Sequence, residues 1–411
     1  MVADRRKILF VAINQRYMNA TSSLLPAAIA RCAEMYTYGP GFVDPQTLDK
    51  GIGQYVDKIG GVDFIVVTAQ CVIKLEIAEL ARYLQRFTAV FNKGRISEQF
   101  LRDVERYCKE NRRRVICAIS ELDPHTTQQS RLDLLFEHAE YFMGWGHGFL
   151  DAKSDTRAVG KENYIQKQLR KGYQIGLLDK FAEDNRYKFI NIGHFVADSE
   201  FYWGSLSARG YDVAVPGSRY ARRREMRPVL ARLSDVRIAD GRYRYPFQIA
   251  NRLALRPFSN FYLVNLYNLA FQKCLAESRA CVTDGGANNY PVRKFFEIPA
   301  AGALMVCWPA VGAERLGFRH GENCVFVREN TEAVEIVKAV ARDSSPFEAI
   351  ASAGRTLVLR KHSVAARAAQ FQEAIESIEA GTFGGSSWND GSFQCDAPAA
   401  VQKFDGNTRA N

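Results

Sequence analysis

Short, almost unbroken apolar runs recur along the whole chain, and most are followed by a helical pattern. In the first half they are KILFVAIN (7–14), VDFIVVTAQ (62–70), RRVICAIS (113–120), YFMGWG (141–146) and YKFINIG (187–193). In the second half they are YDVAVPGS (211–218), DVRIAD (235–240), RACVTDGG (279–286), ALMVCW (303–308) and NCVFV (323–327). A strand apolar on both faces must be covered on both faces, so these runs predict parallel sheets with helices on each side. The predicted helices include residues 23–35, 73–87, 98–110, 261–278, 292–302, 331–343, 345–362 and 364–380. The rhythm breaks between about 194 and 210. The expected fold class is therefore α/β, with two Rossmann-like doubly wound domains, 1–200 and 201–381. Residues 382–411, rich in Gly, Ser, Asn and Asp, read as a flexible tail.

Composition narrows the classes that remain. The 411 residues are 47% hydrophobic and 24% charged, which excludes a disordered chain or a disulfide scaffold. The nine cysteines show no zinc spacing and sit largely in apolar runs, so they read as buried free thiols of a cytoplasmic protein. No run reaches the roughly 20 apolar residues of a membrane helix. The opening MVADRRKILFVAIN reads as a first strand rather than a leader. A net charge of +10 predicts an anionic partner, and allows nucleic acid, phosphorylated small molecules or an anionic membrane surface.

In doubly wound folds ligands bind at the carboxyl ends of the strands. Two loops there carry the clearest chemistry. The first is Asp284-Gly285-Gly286-Ala287-Asn288-Asn289-Tyr290-Pro291-Val292-Arg293-Lys294-Phe295-Phe296-Glu297. Gly285 and Gly286 allow a ligand close to the backbone. A helix starting near Tyr290 or Pro291, with Asn289 as its cap, offers free N–H groups to a phosphate. Tyr290, Val292 and Arg293 line that start. Glu297, about two turns on and among apolar neighbours, is placed to accept hydrogen bonds from a ribose diol. The second loop is Val215-Pro216-Gly217-Ser218-Arg219, leading into a helix with six Arg and one acid between 219 and 232. Arginines at a helix start oppose its dipole and predict a counter-anion. Gly217 and Ser218 would admit a diphosphate, and Arg223 or Arg224 would face the cleft and neutralise it.

Three segments resemble the C-terminal donor domain of GT-B glycosyltransferases, nearest to the CgeB-like (spore-maturation-protein-like) group-1 branch. They are RKFFEIPAAGALMVCW, LGFRHGENCVFVRENTEAVEIVKAV and AIASAGRTLVLRKHSVAARAAQF. The resemblance covers roughly 290–375 well, 187–230 loosely and the first 185 residues weakly. It implies a GT-B fold, a nucleotide-diphosphate sugar as co-substrate and Glu297 as the ribose ligand. Many relatives carry a second Glu eight residues earlier, which contacts the donor sugar; this chain has Asn289 there. The resemblance also implies that His194, at the domain junction, faces the donor, and that the last helix packs back on the first domain.

Among the loops after the early strands, Asp123, His125 and His147 are candidate bases for an acceptor hydroxyl. Turn or core roles are commoner for each. Tyr38-Gly39-Pro40-Gly41 reads as a structural turn. No dinucleotide fingerprint, P-loop, HExxH or GxSxG occurs.

The leading expectation is thus a metal-independent glycosyltransferase without a cofactor, its leaving diphosphate stabilised by helix N-termini and Arg rather than a metal. The acceptor is expected to be a glycan or lipid, as in cell-envelope polysaccharide synthesis, with peripheral contact at the inner face of the membrane and no nucleic acid. The alternatives are a sugar-nucleotide epimerase, which shares the fold, and a non-enzymatic polyanion-binding protein.

Overall fold

The computed structural model describes residues 5–17, 21–72, 88–90, 98–120, 129–145, 158–159, 162–163, 177–217, 221–239, 246–247, 249, 253, 261–286 and 289–398. The elements that position the site fall on two parallel sheets. The first contains β1 (Lys7–Val11), β2 (Glu34–Tyr38), β3 (Phe64–Thr68), β4 (Val115–Ser120), β5 (Tyr141–Trp145) and β6 (Phe189–Asn191), with α1 (Thr21–Cys32) and α2 (Glu98–Glu110) beside it. Its strand order is β6-β5-β4-β3-β1-β2. The second contains β7 (Tyr211–Ala214), β8 (Ile238–Ala239), β9 (Ser278–Thr283), β10 (Leu304–Cys307) and β11 (Val325–Phe326), in the order β8-β7-β9-β10-β11. Its helices are α3 (Ala221–Leu230), α4 (Phe261–Ala276), α5 (Lys294–Ala300), α6 (Asn330–Arg342), α7 (Glu348–Lys361) and α8 (Val364–Glu379).

All pairings within these two sheets are parallel. In each, the chain steps outward from its first strand and then reverses to the other side. The reversal opens a crevice at the carboxyl ends of β1 and β3, and of β7 and β9. The central strands are buried on both faces, as the continuous apolar runs require; Leu304, Val306 and Cys307 have no exposed surface.

Three sequence expectations change. The helix expected over 23–35 stops at Cys32, and an unforeseen edge strand, β2, follows. Its sequence, EMYTY, is mixed in polarity and fully buried only at Tyr38, so it lacks the apolar run that reveals a central strand. The helix expected over 73–87 lies outside the described residues.

The third change concerns the tail. Its first part is not loose: β12 (Ser386–Asn389) and β13 (Ser392–Cys395) form an antiparallel hairpin. Asp390 and Gly391 both have positive φ, 49° and 73°, the two-residue turn that matches strand twist. Trp388 is 5% exposed and its indole N–H donates to Asn191 O at 2.7 Å. Asn191 N in turn donates to Ser386 Oγ at 2.7 Å. The hairpin is therefore docked on the edge strand β6, and residues 399–411 lie outside the described ones.

The helix α8 packs on α1, and Arg6 Nε meets Glu379 at 2.8 Å, so the end of the chain returns to the first sheet. Arg367, 2% exposed, holds this junction. Its guanidinium donates to Gly193 O (3.2 Å), His194 O (2.8 Å), Lys361 O (2.9 Å) and Gln370 Oε1 (2.6 Å). It also donates to His362 Nδ1 at 3.0 Å and lies over the Trp388 ring at 4.9 Å. The A-G-R…H…R pattern at Ala353–Gly354–Arg355, His362 and Arg367 is thus structural. A side chain on Gly354 would strike Asn323 O at 2.5 Å, and Arg355 Nη1 bonds Tyr202 O at 3.0 Å.

His362 accepts from Arg367 through Nδ1, so its Nε2 carries the proton given to Leu316 O at 2.8 Å. Burial first, then Arg367, pushes its pKa well below the ordinary range. Unfolded chains protonate histidine near pH ~6.5 while the folded protein does not, so the unfolded state binds more protons in acid. Stability should therefore fall as the pH drops below about 6.5, by roughly 1.4 kcal/mol per pH unit for each such histidine. His362→Gln, which keeps a donor and an acceptor, should flatten the slope by about one proton. Urea midpoints at pH 7, 6 and 5 check this; an unchanged slope would contradict a neutral buried His362.

Candidate functional site

The two loops singled out by sequence meet at the crevice between β7 and β9. Asp284, 3% exposed, joins them. One carboxylate oxygen accepts from Arg223 Nε at 2.8 Å and from Gly286 N at 3.0 Å; the other accepts from Arg223 N at 3.1 Å. Arg227 Nη2 donates to Val215 O (2.8 Å) and Gly217 O (2.7 Å), bracing the loop before α3.

Gly217 has φ +85°, and a Cβ there would lie 2.6 Å from Arg223 Nη1. A Cβ on Gly285 would lie 2.9 Å from the Asn289 backbone. Both glycines therefore permit close packing around the Arg223–Asp284 pair. The sequence expectation is that Arg223 or Arg224 faces the cleft; Arg223 instead pairs with Asp284. It is 3% exposed and acts as a strut between the loops through its ion pair with Asp284. Arg224 is half-buried on the same helix.

The helix carrying Glu297 starts later than expected, at Lys294, which puts Glu297 in its first turn. Asn289 is not its cap. It has φ +50°, a left-handed conformation that Asn tolerates better than most residues, and its carbonyl accepts from Val311 N at 2.9 Å. Pro291 precedes the helix, and Tyr290 N bonds Gly285 O at 3.2 Å.

Glu297 is 4% exposed and its carboxylate is bonded by Arg293 Nη1 and Lys294 Nζ. Arg293, also 4% exposed, reaches the other way to Glu200 through Nη2, at 2.6 and 2.7 Å. Two acids and two cations thus form one buried, balanced cluster. Burial alone would raise the Glu297 pKa, but Arg293 and Lys294 outweigh it and hold the carboxyl below its ordinary range. Burial lowers Lys294, only partly offset by Glu297. The Lys294 stem runs toward the other loop: its Cε lies 3.0 Å from where a Gly217 Cβ would be.

His194 follows β6 of the first sheet and is 2% exposed. Its ring stacks on Tyr290 at 6.0 Å between centroids and 28° between planes. Burial, then Arg293 and Lys294, keeps it neutral far below its ordinary pKa.

The structure thus brings together Gly217, Arg223, Gly285, Gly286, Asn289, Tyr290, Val292, Arg293, Glu297 and His194. Ser218, Asp123, His125 and His147 lie outside the described residues. Sequence reasoning did not single out Glu200 or Lys294. Lys294 had a usable signal, a basic residue three positions before a carboxylate in a helix. Glu200 had none, since its partner is distant in the chain.

Residues 207–373 match the family model described as glycosyl transferase-like. Among solved structures, HepE of Anabaena, in complex with UDP and glucose, aligns with a TM-score of 0.46 at 14% identity, over 90% of this chain and 100% of that one. Sucrose-phosphate synthase from Thermosynechococcus elongatus aligns with a TM-score of 0.47 at 12% identity, over 92% and 100%. A DNA-modifying β-glucosyltransferase aligns with a TM-score of 0.47 at 10% identity, over 90% and 99%. No curated protein matches the sequence.

Proposed function

We propose that this chain is a nucleotide-sugar-dependent glycosyltransferase of the CgeB-like branch, with a donor unit at 201–381 and an acceptor-side unit at 1–200. One observation carries the reading. The unit matching the glycosyl transferase-like family places a buried, ionised Glu297 beside two glycine loops at its strand switch point. In this reading the ribose hydroxyls donate to Glu297, and the diphosphate lies between the Gly217 and Gly285-Gly286 turns. Lys294, which spans from Glu297 toward Gly217, shares the neutralising role expected of Arg223 or Arg224. Charge developing on the leaving diphosphate is stabilised by that ammonium and by the backbone N–H groups of the turns. Arg223 contributes by fixing the two loops through Asp284.

Asn289 and Tyr290 line the sugar side with His194, and Val292 and Arg293 support Glu297. Asp123, His125 and His147 are the proposed bases on the acceptor side. The acceptor class proposed is a glycan or a lipid-linked glycan, used at the cytoplasmic face of a membrane. Among the described residues no helix is long and apolar enough to cross a membrane.

Thermal unfolding with UDP, GDP, CDP and TDP tests the reading. One of them should stabilise the protein by about 2.7 kcal/mol at a hundredfold excess over its Kd. No shift with any of the four would contradict it.

A further inference from the structure

The helix α4 is apolar on two opposite faces. Phe271 and Leu275 are buried in the core of the second sheet, at 8% and 2% exposure, and Val264, at 1%, lies on the same helix face. Tyr262, Leu266 and Leu269 recur at helical spacing on the other side and are 68%, 41% and 61% exposed. Lys273 continues that stripe. Just upstream, Ile249 and Leu253 are one helical turn apart, joined by a 3.0 Å backbone bond, and are also exposed. A run of large exposed apolar side chains marks a surface that is covered in use.

The sequence around it indicates by what. From Gly241 to Ala276 there is no aspartate or glutamate, while Arg242, Arg244, Arg252, Arg256 and Lys273 are basic. Tyr243, Tyr245, Phe247 and Phe258 are interleaved with them. Apolar side chains flanked by cations and aromatic rings suit the boundary between headgroups and acyl chains of an anionic bilayer. A second copy of this chain fits less well. A two-fold interface would press this stretch against its own copy, which has no acid between Gly241 and Ala276 to offer the arginines. The helix α4 turns at Glu277 directly into β9 and so runs antiparallel to it. Its Phe261 end therefore lies toward the carboxyl edge of the sheet, where the Asp284–Gly286 loop sits.

We propose that the exposed side chains of Ile249, Leu253, Tyr262, Leu266 and Leu269, with the arginines of this acid-free stretch of sequence, dock the protein on an anionic lipid surface. This proposal stands on the patch itself and does not depend on the sugar-transfer reading.

The test is flotation of the full-length protein with vesicles of equimolar phosphatidylglycerol and phosphatidylcholine, and with phosphatidylcholine alone. Wild type should float with the anionic vesicles only, and high salt should weaken it. Leu266→Glu/Leu269→Glu should lower the bound fraction at least roughly tenfold. Arg252→Gln/Arg256→Gln should weaken binding and its salt dependence. The urea unfolding midpoint of both variants should match wild type, which confirms that they are folded. The proposal is overturned if wild type ignores anionic vesicles, or if the leucine variant floats as well as wild type. It is also overturned if light scattering shows a wild-type dimer that the leucine variant turns into monomer. Vesicle binding without any nucleotide shift would leave the surface standing and remove the activity.

Discussion

Glu297→Gln is expected to lose donor affinity and stability together. Its carboxylate is the acceptor proposed for the ribose, and charge-assisted bonds of this kind contribute about 1.5–3 kcal/mol, roughly a 10- to 150-fold change in affinity. The same carboxylate balances two buried cations. Arg293 keeps Glu200 in the variant, but Lys294 is left against an amide. An uncompensated buried charge of this kind costs about 3–5 kcal/mol. A loss of binding in this variant alone would therefore be ambiguous. Lys294→Gln/Glu297→Gln removes both charges and leaves the Arg293–Glu200 pair intact. The double variant should recover most of the stability and none of the donor affinity. Urea unfolding and calorimetry on the two variants separate the terms. If the double variant binds nucleotide like wild type, neither residue holds the donor.

Arg367→Ala should be among the most damaging substitutions outside the site. Among the described residues the side chain has no carboxylate partner; it is held by three backbone carbonyls, Gln370, His362 and the Trp388 ring. Removing it leaves buried acceptors unsatisfied, at about 1–3 kcal/mol for each one that cannot rehydrate. Partial relaxation brings the expected total to roughly 3–5 kcal/mol. Arg367→Lys should recover little, because one ammonium cannot span acceptors on the Gly193–His194 loop and at Lys361 together. Trp388 fluorescence during unfolding reports the event, since its N–H is bonded to Asn191 across the same junction. A midpoint within error of wild type would mean that the junction does not depend on this guanidinium.

What could be read from the sequence divides along physical lines. The strands at the centre of each sheet were legible because burial on both faces leaves nothing but apolar residues. The edge strand β2 was not, because only Tyr38 of its five residues is buried. The hairpin at 386–395 was hidden by polar composition, although Asp390-Gly391 is a strong local turn signal. In the site, the two glycine loops and Glu297 stood out by local chemistry: small residues after strands, and a carboxylate in an apolar helix. The role of Arg223 did not, because nothing local says that Asp284 would reach it across the crevice before any ligand does. The start of α5 was misplaced because Pro291 and the Asn pair imitate a helix entrance, whereas Asn289 takes a left-handed conformation instead. Arg293 was legible as a candidate donor-site residue but not as the link to Glu200 on the segment joining the two sheets.

The central claim is that Glu297 binds the ribose of a nucleotide donor. The most direct measurement compares calorimetric affinities for the nucleoside diphosphate that gives the largest thermal shift and for its 2′,3′-dideoxy analogue. Wild type should prefer the ribose form by about 10-fold or more. The Lys294→Gln/Glu297→Gln variant, whose fold is charge-balanced, should lose most of that preference. Equal affinity of wild type for the two nucleotides, or a preference that survives in the variant, would contradict the assignment of Glu297 to the ribose.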